Sequence, residues 1–414
     1  MIIKSTIYYY IGGIISQLSI LAAWAVIKNK IGLIDFGQLL YLIGILEFIC
    51  TLGLFGFDSF AHRFAQHINR SVLWAFQKVQ IVFSVVVIFI ALFTNIYLDL
   101  NYQMLHFAVF LIFIISTQSF LISNALLVAK ARPLRSVAMQ ITKSLSFLII
   151  VCILPNSLMV SQSLIIGVLS ICILIPSLLF RLSGDNICTL PDLKTKFKNY
   201  APQFYLSSLV GIGYLVIFRT VLQNQLDAEL FGYFMFILMI FAQINGLWTS
   251  AFKALLPSVF NQAQDEVWAN KLHKICIYLS FSPFVGVFLA QALPAITPLL
   301  GIQRYPHDAE LLIILVMSFA SSGMVSLLST LYYKNTKGLR LFFVSLVSGA
   351  CTLIFMYLVS GMEDKYLYGS LCVGSQWILN YLSHVIGYRK NGYFKPTLPI
   401  IILGINTVLC MIII

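Results

Sequence analysis

Three charged side chains lie inside long apolar segments of the sequence, where a charge is unfavourable. Glu47 lies in LLYLIGILEFICTLGL, Lys143 in QITKSLSFLII and Lys253 in LWTSAFKALLP. A charge near the middle of a bilayer costs at least about 2.5–3.5 kcal/mol, so these residues are expected to face a cavity or a partner. Glu47 could exchange a proton, or it could only hydrogen-bond to a neighbouring helix. Each lysine could bind an anion, or its long stem could carry the ammonium group to the membrane surface.

The composition indicates a chain embedded in a membrane. Hydrophobic residues make up 60% of the 414 residues and charged residues 10%, with a mean hydropathy of +0.94. A soluble domain carries about 25% charged residues. Segments of about 20 apolar residues, each long enough to cross the hydrocarbon core, recur along the chain. We predict an all-α integral membrane protein with about twelve transmembrane helices. The predicted segments are 7–27, 38–57, 73–95, 105–129, 136–154, 162–181, 201–222, 230–256, 272–299, 309–332, 340–360, 367–387 and 397–414.

The 26 Lys and Arg residues are divided unequally between the two sides of these helices. With the N-terminus in the cytoplasm, nineteen of them fall on the cytoplasmic side. The opposite side holds Lys28, Lys30, Arg219, Arg304 and Lys365, while Lys143 and Lys253 remain inside helices. The positive-inside rule therefore predicts a cytoplasmic N-terminus. The net charge of +12 is a topology signal and not a nucleic-acid-binding surface.

The predicted helices form two halves. A polar cytoplasmic linker, 182–200, separates a six-helix bundle at 1–181 from a second six-helix bundle at 201–390, and a further apolar segment covers 397–414. A weak internal repeat with an offset of 195 residues places Phe36-Gly37 over Phe231-Gly232. Both halves start on the same side, so the 6+6 repeat is parallel, and repeated halves around a central site are a common plan of transporters. The extra segment either crosses the membrane or is half of an accessory pair.

Two stretches of sequence resemble a known family. IKNKIGLIDFGQLLYLIGILEFICTLGLFGFDSFAHRFA combines a short outer turn, an acidic-Phe-Gly element and a helix that runs into Gly-x-Asp-x-x-x-x-Arg. LKTKFKNYAPQFYLSSL places basic residues before a Pro that starts the seventh helix. Over about residues 1–390 the chain resembles the Wzx-type O-antigen and polysaccharide-unit flippases of the multidrug/oligosaccharidyl-lipid/polysaccharide exporter superfamily. It departs from them in reading IDFGQ where members often carry Pro and Tyr, and in its segment 397–414.

The resemblance implies a V-shaped pair of six-helix bundles around a cavity, in the inner (cytoplasmic) membrane of a bacterium. It implies that the substrate is an undecaprenyl-diphosphate-linked oligosaccharide, the repeat unit of an O-antigen or capsule, as used in lipopolysaccharide and polysaccharide biosynthesis. Alternating access would move this substrate to the periplasmic leaflet. A polysaccharide polymerase and a chain-length regulator are the expected partners, and no nucleic acid is expected.

Charged and amide side chains are the candidate site residues. Arg63 can hold phosphate oxygens with two parallel N–H groups, or it could be an ordinary topology charge. Lys253 lies over Asp58 at the repeat offset, so the two either pair as a gate or leave Lys253 to bind the diphosphate. Arg219 could receive the diphosphate on the outer side, or it could pair with a nearby acid, Asp227 or Glu229. The predicted substrate-binding residues are Arg63, Lys143, Arg219, Gln243, Asn245 and Lys253, and the predicted coupling or gating residues are Glu47 and Asp58.

Two other functions remain open. A cation-coupled multidrug antiporter of the same fold would need a cluster of membrane carboxylates, and only Glu47 and Asp58 are available. An O-antigen polymerase or ligase would need catalytic groups on a large periplasmic loop, and the predicted outer loops are short. The sequence has no Walker loop, G-x-S-x-G or G-x-G-x-x-G motif, and no C-x-x-C or His-x-x-x-His pair. We therefore predict a transporter that is not an enzyme and uses neither cofactor nor metal ion.

Overall fold

The computed structural model describes most of the first 261 residues and part of the remainder. The described residues are 2–64, 68, 70–98, 104–130, 132–159, 161–180, 193–261, 274–278, 280, 281, 284, 321, 323–325, 338–388, 399 and 401–406. Every longer regular element in these ranges is an α-helix, so the predicted all-α fold class is confirmed. The helices are α1 (Ile2–Ile31), α2 (Leu33–Leu54), α3 (Phe57–Phe64), α4 (Arg70–Leu98), α5 (Met104–Ala129), α6 (Pro133–Ile153), α7 (Asn156–Met159), α8 (Gln162–Leu179), α9 (Leu193–Gln225), α10 (Ala228–Asn261), α11 (Gly338–Val359) and α12 (Lys365–Tyr388).

Eight of the described helices contain a stretch long and apolar enough to cross a membrane. The stretches are Ile11–Ile31, Leu33–Leu54, Val72–Phe93, Met104–Ala129, Pro133–Ile153, Gln162–Leu179, Lys194–Gln225 and Gly338–Val359. Each matches a segment predicted from the sequence, because the period and length of apolar runs determine which segments can span. The predicted segments 272–299, 309–332 and 397–414 lie wholly or mostly outside the described residues.

The chain divides into two compact units, unit 1 at Met1–Val216 and unit 2 at Ile217–Ile414. The division falls within α9, so this helix contributes residues to both units. Most of the predicted linker, 182–192, lies outside the described residues, and 193–200 form the first two turns of α9. The predicted domain boundaries stay a prediction.

In unit 1, helix α2 ends at a left-handed turn inside the predicted membrane region. Phe55 and Gly56 have φ angles of 47° and 73°, which a glycine adopts readily and a phenylalanine only at a cost. The last four carbonyl groups of a helix have no partner within it, and at this end Gly53 and Leu54 are buried away from water. Side chains from other helices bond to two of these carbonyls, those of Leu52 and Gly53, and a third side chain bonds to the Cys50 carbonyl just before them.

These three bonds come from helices α4, α5 and α9. The Gln118 amide donates to the carbonyl of Cys50 at 3.2 Å, the Tyr205 hydroxyl to that of Leu52 at 2.9 Å, and the Gln80 amide to that of Gly53 at 3.4 Å. We call these side chains, Gln80, Gln118 and Tyr205, the α2 cap. A side chain at Gly53 would collide with the Gln118 amide, so glycine is required for this close approach.

Helix α3 occupies 57–64, which lies almost entirely between the predicted spans 38–57 and 73–95. Its residues Phe57, Phe60, Ala61 and Phe64 follow the i, i+3, i+4, i+7 spacing of an amphipathic helix, and this spacing was the signal that was missed. Phe57, Phe60 and Ala61 are buried. The segment is too short to cross a membrane, so the length of its apolar run does not predict it.

Helix α9 begins at Leu193 and carries Pro202 in its interior, so the prediction that this proline starts the seventh helix was wrong. The additional turns are stabilised by packing on α3: the Phe197 ring lies 5.1 Å from that of Phe60 and 6.3 Å from that of Phe57. Packing of aromatic side chains compensates for the backbone bond that the proline cannot donate.

Two of the cations predicted on the outer side bind carbonyl groups at helix ends. The Lys30 ammonium donates to the carbonyls of Val151 and Leu154 at 2.9 and 2.6 Å, at the end of α6. The Lys365 ammonium donates to Ser360, just after α11, at 3.4 Å. A cation near the C-terminus of a helix is stabilising, so these lysines have a structural role that explains their place on the cation-poor side.

In unit 2, α12 packs along α11 and contacts α10 through aromatic side chains. The hydroxyl groups of Tyr233 and Tyr366 lie 3.4 Å apart, and any side chain at Gly369 would collide with the Phe234 ring. The Asp227 carboxylate accepts a hydrogen bond from Leu230 N–H at 2.7 Å and so caps the start of α10.

We expect that replacing Tyr205 by Phe will destabilise unit 1. The substitution keeps the ring and removes the hydroxyl, so the Leu52 carbonyl loses its bond at a cost of about 0.5–1.5 kcal/mol. Thermal unfolding of the purified protein in detergent measures the change. Tyr278→Phe is the matched control, because Tyr278 is 75% exposed. Equal unfolding midpoints for Tyr205→Phe and the unmodified protein would show that the bond is not needed.

Candidate functional site

Lys143 interacts within unit 1 with groups on three other helices, through one ring contact and two electrostatic interactions. Its ammonium lies 5.0 Å from the centre of the Phe120 ring, a cation–π distance. The carboxylate of Glu47 on α2 and the thiol of Cys172 on α8 also act on it electrostatically. The structure therefore brings together two of the predicted charged residues, Glu47 and Lys143. It does not support the interpretation that the Lys143 head extends to the membrane surface.

Amide and hydroxyl side chains fill the space between the helices near this pair. The Asn124 side-chain oxygen accepts hydrogen bonds from the Ser136 hydroxyl at 2.7 Å and from the Gln140 amide at 3.3 Å. The Ser84 hydroxyl donates to the side-chain oxygen of Gln118 at 3.3 Å. These polar groups satisfy one another across α4, α5 and α6, so they hold the bundle together.

Arg63 lies at the other end of α3 from Asp58, against the first turns of α9. Its guanidinium carbon is 5.2 Å from the centre of the Tyr200 ring and 5.8 Å from that of Phe64, and the Lys196 ammonium is 6.0 Å from the same Phe64 ring. We call Arg63, Phe64, Lys196 and Tyr200 the aromatic–cation cluster. Two cations thus share one aromatic ring, an arrangement that attracts an anion.

Asp58 lies in the first turn of α3, between buried phenylalanines and the start of α9. Burial raises the pKa of the Asp58 carboxyl above its ordinary value, and hydrogen bonds from the backbone N–H groups of Ser59 and of Asp58 itself offset this only in part. The neutral form of this carboxyl therefore persists to a higher pH than that of an exposed aspartate.

The other candidate residues lie on α9 and α10 in unit 2. Arg219 is half-buried in the part of α9 that belongs to unit 2, and Gln243 and Asn245 are half-buried on α10. Lys253 belongs to α10, but its side chain lies outside the described residues, so its pairing with Asp58 stays a prediction. Asp227, one of the acids considered as a partner of Arg219, is engaged in capping α10.

Reasoning from the sequence missed Lys196, Tyr200 and Phe120 as parts of these sites. The basic run LKTKFKNY was interpreted as a loop, whereas its helical form places Lys196 and Tyr200 four residues apart on one face. No signal in the sequence identifies Phe120 among the many phenylalanines of the spans, because only the packing of α5 on α6 selects it. Within the described ranges, no group of three or more His, Cys, Asp or Glu residues could hold a metal ion.

A double-mutant cycle tests the interaction between Glu47 and Lys143. We expect Glu47→Gln and Lys143→Met each to lower the free energy of unfolding in detergent. The double variant should lose less than the sum of the two single losses, by about 0.5–3 kcal/mol, because it leaves no uncompensated charge. Glu47→Gln combined with Lys198→Gln is the control, since Lys198 is exposed on α9. Additive effects for Glu47 and Lys143 would mean that the two residues are independent.

The raised pKa of Asp58 makes a prediction about stability and pH. The stabilisation linked to this raised pKa is fully present below the ordinary pKa of about 4 and is lost as the pH rises through the folded-state value. Asp58→Asn should therefore be the more stable protein near pH 7.5, with an advantage that shrinks toward pH 4. Unfolding temperatures of both proteins across this range measure the difference. An advantage that is constant with pH would contradict the burial of the carboxylate.

Comparisons with known proteins identify the fold. No family model matches the chain, and no curated protein matches it. Solved structures do match it. The MATE multidrug transporter DinF-BH, solved as a complex, has a TM-score of 0.69 at 14% identity, over 94% of this chain and 95% of that chain. The MATE transporter ClbM, in complex with Rb⁺, has a TM-score of 0.62 at 14% identity, over 96% of each chain.

A third match is a MOP superfamily transporter from Pyrococcus furiosus, described as having a binding pocket of reverse polarity. Its TM-score is 0.61 at 12% identity, over 97% of this chain and 96% of that chain. At these identities the likeness establishes the fold alone. The chain is thus a multi-pass membrane protein with the two-lobe fold of about twelve helices found in MATE transporters of the MOP superfamily, the superfamily that the sequence resembles.

Proposed function

We propose that this protein is a flippase that moves an undecaprenyl-diphosphate-linked oligosaccharide, an O-antigen or capsule repeat unit, across the bacterial inner membrane by alternating access. The transporter fold supports a membrane transporter in general. The choice of an anionic lipid-linked substrate rests on the aromatic–cation cluster. In this proposal a polysaccharide polymerase and a chain-length regulator use the product on the periplasmic side.

The aromatic–cation cluster is the observation that carries the proposal. The Arg63 guanidinium lies 5.2 Å from the centre of the Tyr200 ring, and this cation–π contact holds the cation beside the ring before an anion arrives. A diphosphate offers oxygens at the spacing of this fork, and Lys196 adds a second positive charge beside the same ring. The cluster lies on the side predicted to face the cytoplasm, where the lipid-linked substrate is made.

The proposed cycle also uses residues of unit 2, among them Arg219, which lies on the side predicted to be opposite the cytoplasm. In the proposed cycle, the diphosphate binds at Arg63 and leaves past Arg219. Lys253 and Asp58 act as a gate. Gln243 and Asn245 contact the glycan.

The charges inside unit 1 also favour an anionic substrate. A cation-coupled drug antiporter requires carboxylates without compensating cations. Glu47, by contrast, interacts with the positive charge of Lys143. A drug cation that binds at Glu47 would therefore meet the positive charge of Lys143.

A cation-coupled multidrug antiporter is the second candidate. Its support is that two of the solved structures similar to this chain are a MATE multidrug transporter and a MATE transporter bound to Rb⁺. In that case Glu47 and Asp58 would exchange protons or bind the coupling ion. The two candidates differ in what accumulates when the protein is removed.

Deletion of the gene in its bacterium, followed by analysis of surface polysaccharide and of lipid-linked intermediates, tests the proposal. A flippase predicts loss of surface repeats and complete single units retained on the cytoplasmic face. Single repeats that reach the surface unpolymerised would indicate a polymerase. Normal polysaccharide together with new sensitivity to cationic drugs would reject the flippase and support the antiporter.

Variants of Arg63 test the role of the cluster. In the deletion strain, Arg63→Gln should reduce surface polysaccharide at least about tenfold, and Arg63→Lys should restore only part of it, because a lysine cannot bind bidentately. Arg135→Gln is the matched control: it removes the same charge from an exposed position at the start of α6. Protein levels in the membrane must be equal. Full export by Arg63→Gln would show that the cluster does not bind the substrate.

A further inference from the structure

A cavity of about 220 Å³ opens between α4, α5 and α8 in unit 1, and it borders two residues of the α2 cap, Gln80 and Gln118. It is much larger than the space of about 10–15 Å³ that a single water needs. Its lining includes Trp74, Gln77 and Lys78 from α4, Ser119 and Ser123 from α5, and Ser177 from α8. Polar side chains in a bilayer are favourable only when they bond to one another or to a bound group.

The cavity lies at the end of the bundle that is predicted to face the cytoplasm. Its lining comes from the first three turns of α4, the second half of α5 and the last turns of α8. The chain next to these ends is basic, with Arg70 at the start of α4 and Lys130 and Arg132 after α5. The local field therefore favours an anion at this depth.

The lining divides into an inner wall and an entrance. Gln80, Gln118 and Ser177 form the inner wall, are each at most 3% exposed, and bond to protein atoms. At the entrance, Trp74 and Lys78 are exposed. An occupant thus meets a rigid polar wall, with a positive charge and an indole at its mouth.

An apolar stripe on α4 leads away from the entrance toward the other membrane surface. Val82, Val86, Phe89 and Phe93 are 62%, 50%, 69% and 69% exposed, and their spacing places them on one face of the helix. In a bilayer this stripe is covered by hydrocarbon chains. A polar cavity that continues into an apolar stripe matches a molecule with an anionic head and a long apolar tail.

We propose that this cavity is a binding site for the phosphate headgroup of a membrane lipid, whose hydrocarbon tail lies along the exposed face of α4. Lys78 neutralises the phosphate, Ser119 and Ser123 donate hydroxyl groups to its oxygens, and the Trp74 indole covers the headgroup at the interface. Two sources share this chemistry: an anionic phospholipid of the surrounding membrane, and a polyprenyl diphosphate. The site does not depend on the proposed cargo, because either lipid satisfies it.

The test measures lipid binding to the full-length purified protein. After delipidation in detergent, the protein is titrated with phosphatidylglycerol and, separately, with undecaprenyl diphosphate, and native mass spectrometry gives the apparent Kd of the first bound lipid. Lys78→Gln removes the charge and Ser123→Phe fills the cavity. Arg135→Gln removes a charge at the same end of the bundle without touching the lining.

We expect both cavity variants to weaken lipid binding about tenfold while Arg135→Gln leaves it unchanged, since one charge-assisted contact corresponds to about that ratio. Weakening for both lipids would support a phosphate site that the bulk membrane fills. Weakening for undecaprenyl diphosphate alone would support the same site with the polyprenyl lipid as its source. Unchanged binding in both cavity variants, or equal weakening by Arg135→Gln, would overturn the proposal. Unchanged unfolding temperatures show that the variants fold. A normal polysaccharide in the deletion strain would reject the flippase function, but it would not change the lipid-binding result.

Discussion

The need to bond the carbonyl groups at the end of α2 constrains the rest of unit 1. This helix stops at a left-handed turn at Phe55 and Gly56, next to the buried residues Gly53 and Leu54, and a buried carbonyl without a partner is costly. The α2 cap supplies the bonds from three helices, which fixes α4, α5 and α9 around one point. The turn also lets α3 begin in a new direction, and α3 carries both Asp58 and Arg63.

Basic residues have two distinct roles in this protein, and the local environment decides which one applies. Lys30 and Lys365 donate to carbonyls at helix ends, so their charges stabilise the fold. Arg63 and Lys143 instead lie over aromatic rings, which attract a cation through the ring face and fix its direction. A cation that is oriented by a ring is better placed to receive an anion than one committed to helix-end carbonyls. This difference in environment is why we assign binding to Arg63 and structure to Lys30.

The same polar side chains serve packing and the proposed lipid site. Gln80 and Gln118 bond to α2 and also form the inner wall of the cavity between α4, α5 and α8. A group bound in that cavity would therefore contact the amides that hold the α2 turn. Polar networks inside bundles are costly when broken, so the wall is expected to remain fixed while lipids exchange at the entrance.

The sequence by itself determined the helical class, most of the membrane-spanning segments and the membrane-embedded charges, because apolar length and the cost of burying charge are local properties. It did not find α3, whose eight residues cannot span, or the early start of α9, which depends on Phe197 packing against α3. It also left the direction of Lys143 open between the membrane surface and the bundle. Only tertiary structure decided these points, because the partner of each side chain is far away in sequence and is brought near by packing alone.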